Sequence, residues 1–164
     1  MTKDFRNTQS MYSMLPDKWI IFDLDGTLAD ISDRRRLASK ENGKINWSIF
    51  FDPKNIPMDK PIPAAIELLS SLQEKYNIAI FTGRGAETVE ATEAWLAHNG
   101  IHYDLLKMRP VQDYVPDDDL KKDWLNTEFP DKSKVLCVFD DRDKVVSMWR
   151  NEGLLCCQVA QGDF

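Results

Sequence analysis

The run IIFDLDGTL at residues 20–28 constrains this chain more than any other feature. An apolar segment typical of a buried strand leads directly into two carboxylates, Asp23 and Asp25, and then into Gly26 and Thr27. Side chains two positions apart lie on one side of an extended chain, so the carboxylates can converge where the strand ends, and Gly26 lets the backbone turn there. In such a pair, one carboxylate can attack covalently or bind a metal while the other transfers protons. An Asp-Gly sequence on its own usually forms only a turn.

Length and composition indicate the class of protein. The chain has 164 residues, of which 43% are hydrophobic and 29% charged, as in one soluble globular domain. Residues 1–17 are polar and show no period, which predicts a flexible N-terminal arm before a domain at residues 18–164. Because no apolar run is long enough to span a membrane and no secretory signal opens the chain, we expect no membrane partner.

The net charge and the cysteines indicate which binding partners and which cell compartment to expect. A net charge of −6 argues against binding duplex nucleic acid through a broad basic face, but it allows recognition of a strand end by a few arginines. Cys137, Cys156 and Cys157 lie in apolar segments without metal-ligand spacing, which indicates reduced core thiols and a cytoplasmic location. These features leave the oligomeric state open.

Strand and helix patterns alternate from residue 18 onward. Apolar runs predict strands, and apolar residues at helical spacing between them predict helices. This alternation favours a mostly parallel sheet with helices on both faces. The predicted strands are residues 19–24, 78–82, 103–108, 135–139 and 154–159, and the predicted helices are residues 63–76, 86–99, 117–129 and 143–151.

Residues 30–60 interrupt the alternation, and their length favours a small helical cap inserted over the site rather than an ordinary connection. Asn42 and Gly43 are typical of a turn between two short helices. The aromatic residues Trp47 and Phe50 have two interpretations: they stack on a nucleobase, or they pack the insertion.

A Thr-Gly-Arg string follows the second predicted strand of the main alternation. The Thr82 hydroxyl and the backbone N–H groups around Gly83 can donate hydrogen bonds to a phosphoryl group, and the guanidinium of Arg84 suits a phosphate. A simple turn from strand to helix is the alternative for Thr82 and Gly83.

Two further polar segments carry candidate active-site residues. DDDLKK at residues 117–122 opens a helix and offers Lys121 or Lys122 to neutralise a phosphoryl group, although a solvated helix start is the simpler interpretation. Asp140 and Asp141 follow the fourth strand, where carboxylates suit Mg²⁺ or cap the next helix. In a doubly wound sheet these segments end at one edge, where ligands bind.

These motifs, in this order, resemble those of the haloacid dehalogenase (HAD) phosphatase superfamily. From Trp19 to Phe164 the chain also resembles the 3′-phosphatase domains of phage polynucleotide kinases, most closely in the run FDDRDKVVSMWRNEGLLCCQVAQGDF. The resemblance implies an α/β, HAD-like Rossmannoid three-layer sandwich with a mostly parallel sheet and a small cap.

The resemblance also implies catalytic roles. Asp23 is expected to be the nucleophile that forms an aspartyl-phosphate, and Lys121 matches the family lysine better than Lys122 does. Asp25 is expected to protonate the leaving hydroxyl and then activate water, which predicts surroundings that raise its pKa.

Metal and substrate ligands follow from the same resemblance. The Mg²⁺ site is expected to comprise Asp23, the backbone carbonyl of Asp25, and Asp141 with or without Asp140. Arg34 and Arg84 match family arginines near the substrate, Arg109 is a weaker candidate, and Asp117 can orient the lysine. The expected substrate-binding residues are Thr27, Arg34, Thr82, Gly83, Arg84, Arg109 and Asp117.

The leading functional hypothesis is a Mg²⁺-dependent phosphatase that removes 3′-phosphates from single-stranded DNA or RNA ends, as repair before ligation. The alternative substrate is a free nucleotide or another small phosphomonoester, which the acidic net charge favours. A non-catalytic binding module is disfavoured because all the reactive positions carry competent side chains. The sequence contains no G-x-x-x-x-G-K-[ST] string, so we expect no 5′-kinase activity.

Overall fold

The computed structural model describes residues 17–162, so the expected N-terminal arm lies outside the described residues except for Asp17. Short 3₁₀ turns lie at Pro53–Met58, Ala86–Thr88 and Lys132–Lys134. The strands and α-helices, in chain order, are β1 (Trp19–Phe22), β2 (Ala29–Asp30), α1 (Ser32–Ala38), α2 (Trp47–Phe50), β3 (Lys60–Pro61), α3 (Pro63–Leu72), β4 (Asn77–Gly85), α4 (Val89–His98), β5 (Leu105–Arg109), α5 (Asp117–Glu128), β6 (Val135–Asp140), α6 (Asp143–Asn151) and β7 (Cys156–Gln158).

Five strands form one parallel sheet in the order β5-β4-β1-β6-β7. The strand β1 is central, and the chain passes first to one side of it, through β4 and β5, and then to the other, through β6 and β7. Such a reversal leaves a crevice at the carboxyl ends of the strands. The alternating pattern of the sequence thus predicted the parallel sheet correctly.

Each face of the sheet has its own apolar core. Leu69 of α3 and Leu96 of α4 pack on one face, together with Ile20 and Phe22 of β1. Residues of α5 and α6 pack on the other face and contact Ile21, Phe81 and Val138; the buried members are Leu120, Trp124, Leu125, Val145, Val146, Met148 and Trp149. The layers are therefore helices, sheet and helices, as expected.

The segment between β1 and α3 is a small substructure of its own. The strands β2 and β3 pair in antiparallel fashion and bring its two ends together, with Ala29 opposite Pro61. The helices α1 and α2 lie between them, and Gly43 takes a φ of +75° in the connection that joins them. The predicted turn between two short helices is thus confirmed.

Some boundaries differ from those predicted. The strand β4 runs to Gly85, beyond the predicted end at residue 82, because Gly85 pairs with Arg109 after a shift in register that follows Thr82. The last strand is shorter than expected. Cys137, Cys156 and Cys157 carry free thiols in the part of the chain that the structure describes. Among the helices of residues 17–162, none has the length and apolar character needed to cross a bilayer.

Candidate active site

A cavity of about 590 Å³ opens at the carboxyl ends of β1, β4 and β6. Its lining includes Asp23, Asp25, Lys121, Asp140 and Asp141. The backbone N–H of Asp23 donates a hydrogen bond of 2.8 Å to the carbonyl of Phe139, which ties the end of β1 to β6. The neighbouring strand ends therefore bring these polar side chains to one opening.

Three buried carboxylates form a cluster in this cavity. One oxygen each of Asp23, Asp140 and Asp141 lies within 4.8 Å of the other two. Gly26 permits this approach because it takes a φ of +89°, and a Cβ atom there would lie 2.1 Å from an oxygen of Asp141. The glycine of the DLDGT motif thus serves both the turn and the packing of the acidic cluster.

Lys121, on the first turns of α5, reaches into the acidic cluster. Its Nζ atom lies 2.7 Å from Asp23 Oδ1 and 2.9 Å from Asp140 Oδ2, and the residue is almost fully buried. Burial alone would lower the pKa of Lys121, but the charges of Asp140 and Asp23 outweigh it and raise that pKa, so the amine stays protonated. Lys122 points elsewhere and pairs with Glu152 at 2.8 Å.

Asp140 is held by donors from four groups of the protein. Its Oδ1 accepts from the backbone N–H groups of Asp141 and Arg142, at 3.0 and 3.2 Å. Its Oδ2 accepts from Lys121 and, at 3.1 Å, from the indole N–H of Trp149 on α6. Asp140 therefore fixes the position of the lysine as well as contributing charge to the cluster.

The charge balance of the cluster fits a divalent cation. Burial and the neighbouring charges of Asp140 and Asp141 raise the pKa of Asp23 well above its ordinary value, although Lys121 opposes them. Burial and Asp140 likewise raise the pKa of Asp141, to about 6. A bound divalent cation would offset this mutual repulsion and favour the ionised carboxylates, whose oxygens are the ligands that Mg²⁺ prefers.

Asp25 lines the same cavity, but its carboxylate has different partners. Oδ1 accepts from Arg84 Nε at 2.8 Å and Oδ2 accepts from Arg34 Nη2 at 2.9 Å. Burial alone would raise the pKa of Asp25, but the two guanidinium groups outweigh burial and lower that pKa below the ordinary carboxyl value. The prediction of a raised pKa was therefore wrong, because the paired cations favour the ionised form.

Arg34 and Arg84 lie in a different place from the one expected of them. Neither residue has exposed surface or lines the cavity, and both contact the carboxylate of Asp25. Both also contact Asp59, at 2.8 Å from Arg34 Nε and 2.7 Å from Arg84 Nη2. The indole N–H of Trp95 donates to the Asp59 carbonyl at 2.9 Å.

Asp59 is a residue that sequence reasoning missed. It lies at the end of the predicted cap, outside any motif, and it is almost fully buried. The signal that could have revealed it is a charge requirement, because two buried guanidinium groups need more than one carboxylate.

The remaining candidates for binding the phosphoryl group are Thr27, Thr82 and Gly83, and they differ in whether they reach the cavity. Thr27 is fully buried, and its hydroxyl has no hydrogen-bond partner among residues 17–162. Thr82 is also fully buried, and its hydroxyl accepts from the backbone N–H of Arg84 at 3.2 Å. Gly83 lines the cavity.

Arg109 and Asp117 organise the segment at residues 110–116. Arg109 donates to the carbonyls of Gly83 and Val115 and, at 2.6 Å, to Asp117 Oδ1. Asp117 Oδ2 accepts from Arg142 at 3.0 Å. Because a Cβ atom at Gly83 would lie 2.6 Å from Asp117 Oδ1, that glycine allows the carboxylate to approach the end of β4.

Comparison with known families adds to this geometry. Residues 17–164 match the family described as the polynucleotide kinase PNKP phosphatase domain. A haloacid dehalogenase-like hydrolase from Streptococcus pneumoniae is 18% identical, with a TM-score of 0.64 over 86% of this chain and 83% of that chain. The expected HAD-like α/β fold is thereby confirmed.

Two solved structures are more similar in sequence. A chain in a Pnkp1/Rnl/Hen1 complex is 35% identical, with a TM-score of 0.73 over 90% of this chain and 47% of that one. A chain in the Pnkp1/Rnl/Hen1 RNA repair complex is 34% identical, with a TM-score of 0.71 over 90% and 44%. This chain thus spans less than half the length of these two.

Proposed function

Because the chain belongs to the family of polynucleotide kinase PNKP phosphatase domains, we propose that it removes the 3′-phosphate from ends of DNA or RNA before ligation, in a Mg²⁺-dependent reaction. The observation that carries the proposal is the contact between Asp23 and Lys121 inside the cavity, with Asp141 beside them. A carboxylate there can attack phosphorus while an ammonium group offsets the charge of the phosphoryl oxygens.

Asp23 is the proposed nucleophile. One of its oxygens bonds to phosphorus as the bond from phosphorus to the leaving 3′-oxygen breaks, which gives an aspartyl-phosphate. Water then attacks phosphorus, the bond to Asp23 breaks, and inorganic phosphate leaves with the carboxylate restored. Lys121 contacts the nucleophile directly and stabilises the negative charge at both steps.

Asp25 is the proposed proton carrier. Since Arg84 and Arg34 favour its ionised form, Asp25 is suited to accept a proton from the attacking water. The proton that Asp25 accepts from water in the second step replaces the one that it delivers to the leaving oxygen in the first. The same arginines hold the carboxylate in one orientation, so they act on the substrate through Asp25.

A Mg²⁺ ion would be held by Asp23, Asp141 and the backbone carbonyl of Asp25. When bound, it would offset the negative charge of the cluster and of the phosphoryl group. Asp140 anchors Lys121 beside this site. Among the substrate-binding candidates, Gly83, Arg109 and Asp117 line the cavity, whereas Thr27 and Thr82 are fully buried. We assign the backbone N–H of Gly83 to the phosphoryl oxygens.

A polynucleotide end is favoured as the substrate by two relatives above 30% identity, one of which belongs to an RNA repair complex. The net charge of −6 favours the second candidate, a free nucleotide or small phosphomonoester. Both candidates use the same chemistry and differ in what the cavity holds beyond the phosphate.

The test is phosphate release from a single-stranded oligonucleotide with a 3′-phosphate, in DNA and RNA versions, with Mg²⁺ or with a chelator. Oligonucleotides with a 5′-phosphate and nucleoside 3′-monophosphates are assayed beside it. We expect Mg²⁺-dependent release from the 3′ end only, with a higher kcat/KM than for the monomers. A clear preference for monomers would instead establish the second candidate.

A further inference from the structure

Exposed aromatic side chains line the cavity beyond the catalytic residues. Trp47 of α2 is 57% exposed and Tyr114 of the 110–116 segment is 91% exposed, and both belong to the cavity lining. The proposed phosphatase chemistry uses neither of them. Exposed aromatic surface that is continuous with a catalytic cavity is typical of a binding surface.

The Trp47 ring is fixed by its neighbours within the cap. Its ring lies nearly parallel to that of Phe51, with centroids 5.7 Å apart and an interplanar angle of 19°. Phe50 meets the same ring edge to face, at 5.7 Å and 87°. Because these contacts hold the indole while more than half of Trp47 stays exposed, the ring is a preformed stacking platform.

This platform is connected to the catalytic machinery. The ring of Phe50 lies over the guanidinium of Arg34, with 4.3 Å from the central carbon to the ring centroid. Arg34 also donates to the Phe50 carbonyl at 3.1 Å and to Asp25 at 2.9 Å. Phe50, only 7% exposed, is therefore a packing residue, and Trp47 is the aromatic residue of this pair that is open to a ligand.

We propose that Trp47 stacks on a nucleobase of the strand whose 3′-phosphate enters the cavity, and that Tyr114 makes a second aromatic contact with the same single-stranded end. This inference rests on the proposed function. Stacking uses the face of a base, so it accepts any base but needs an end whose bases are unpaired or frayed. It also lets an acidic protein bind a polyanion without a broad basic surface.

The experiment compares two 3′-phosphorylated single-stranded oligonucleotides of equal length, one with all its bases and one abasic at its two 3′-terminal positions. Wild type, Trp47→Ala, Trp47→Tyr and Tyr114→Ala are measured, with Leu155→Ala as a control because Leu155 is 66% exposed and outside the cavity lining. We expect Trp47→Ala to raise KM for the complete oligonucleotide by about 5- to 100-fold with little change in kcat.

The abasic oligonucleotide and the Trp47→Tyr variant show whether the loss of affinity comes from base stacking. On the abasic oligonucleotide, Trp47→Ala and wild type should have the same KM within a factor of about 2, and Trp47→Tyr should restore most of the affinity for the complete one. An equal loss on both oligonucleotides, or no loss on either, overturns the inference. A loss of self-association in Trp47→Ala with KM unchanged also overturns it, because the platform then binds a second copy.

Failure of the proposed function would look different. Wild-type protein would then hydrolyse neither oligonucleotide while still hydrolysing a small phosphomonoester such as glycerol phosphate. That result removes the polynucleotide substrate and the base contact together. Circular dichroism and a thermal melt show whether each variant is folded, and Tyr114→Ala alters a side chain that is almost wholly exposed.

Discussion

Arg84 and Asp59 form an ion pair of 2.7 Å in which neither side chain has exposed surface. Asp59 also binds Arg34, and both arginines bind Asp25, so two cations and two carboxylates form a closed set of which only Asp25 lines the cavity. Each charge in such a set depends on its partners, because an unpaired buried charge is costly. Asp59 therefore stabilises the fold and orients Asp25 without reaching the cavity.

Replacing Asp59 with Asn tests this relationship. The change leaves two buried guanidinium groups with one carboxylate, so we expect the free energy of unfolding to fall by about 3 kcal/mol. Urea denaturation measures it. The control is Asp33→Asn, whose carboxylate pairs with exposed Arg36 and Lys60, and here we expect little change because exposed ion pairs contribute little. Equal effects in the two variants would contradict the proposed role of Asp59.

Replacing Arg84 with Gln should make stability depend differently on pH. In the wild type, the lowered pKa of Asp25 stabilises the folded protein at pH values above 3.8, the pKa of this carboxyl group in the unfolded chain. This stabilisation is lost as the pH falls through the pKa of Asp25 in the folded protein. Without Arg84, the pKa of Asp25 rises from its wild-type value, because Arg34 alone then opposes the effect of burial. The difference in unfolding free energy between wild type and variant should therefore be largest near neutral pH and shrink as the pH falls below 3.8.

Urea denaturation at several pH values, in a chelating buffer, measures that difference. Arg36→Gln is the matched control, since Arg36 is an exposed arginine that pairs with Asp33. Its effect should be small at every pH, because an exposed ion pair contributes little. A constant gap between wild type and Arg84→Gln from neutral to acid pH would show that Asp25 is not the group whose ionisation Arg84 controls.

The parts of this molecule that sequence reasoning predicted well are local or periodic. The strand and carboxylates of DLDGT, the turn at Gly43 and the alternation of strands with helices are all written in neighbouring residues. The parallel order of strands then follows from general connection rules, which bring Asp23 and Asp140 to one edge.

The parts that could not be predicted depend on distant pairings. Motif reasoning assigns Arg84 to the substrate because a guanidinium suits phosphate, and nothing near it in sequence reveals Asp59. The lowered pKa of Asp25 follows from two arginines that converge on it from a helix and a strand. Such effects become visible only when the tertiary contacts are known.

Magnesium should stabilise the folded protein through the acidic cluster. Since binding to the native state alone raises stability, an ion at about 100 times its Kd adds about 2.7 kcal/mol. We expect MgCl₂ to raise the thermal midpoint of the wild type and to raise that of Asp141→Asn much less. Asp118→Asn is the control, because Asp118 opens the same helix as Lys121 but pairs with Lys144 at 3.0 Å. Equal shifts in wild type and Asp141→Asn would exclude Asp141 as a ligand.

Asp23→Asn should abolish turnover and leave the fold intact. An amide cannot attack phosphorus, so we expect phosphate release to fall by at least about a thousandfold, as for loss of other covalent nucleophiles. The substitution also removes one negative charge from a crowded cluster, and that relief offsets part of the lost ion pair with Lys121. Circular dichroism should therefore match the wild type, and Asp118→Asn should retain full activity. Activity near wild type in Asp23→Asn would rule out covalent catalysis through this residue, since another nucleophile would then have to account for the rate.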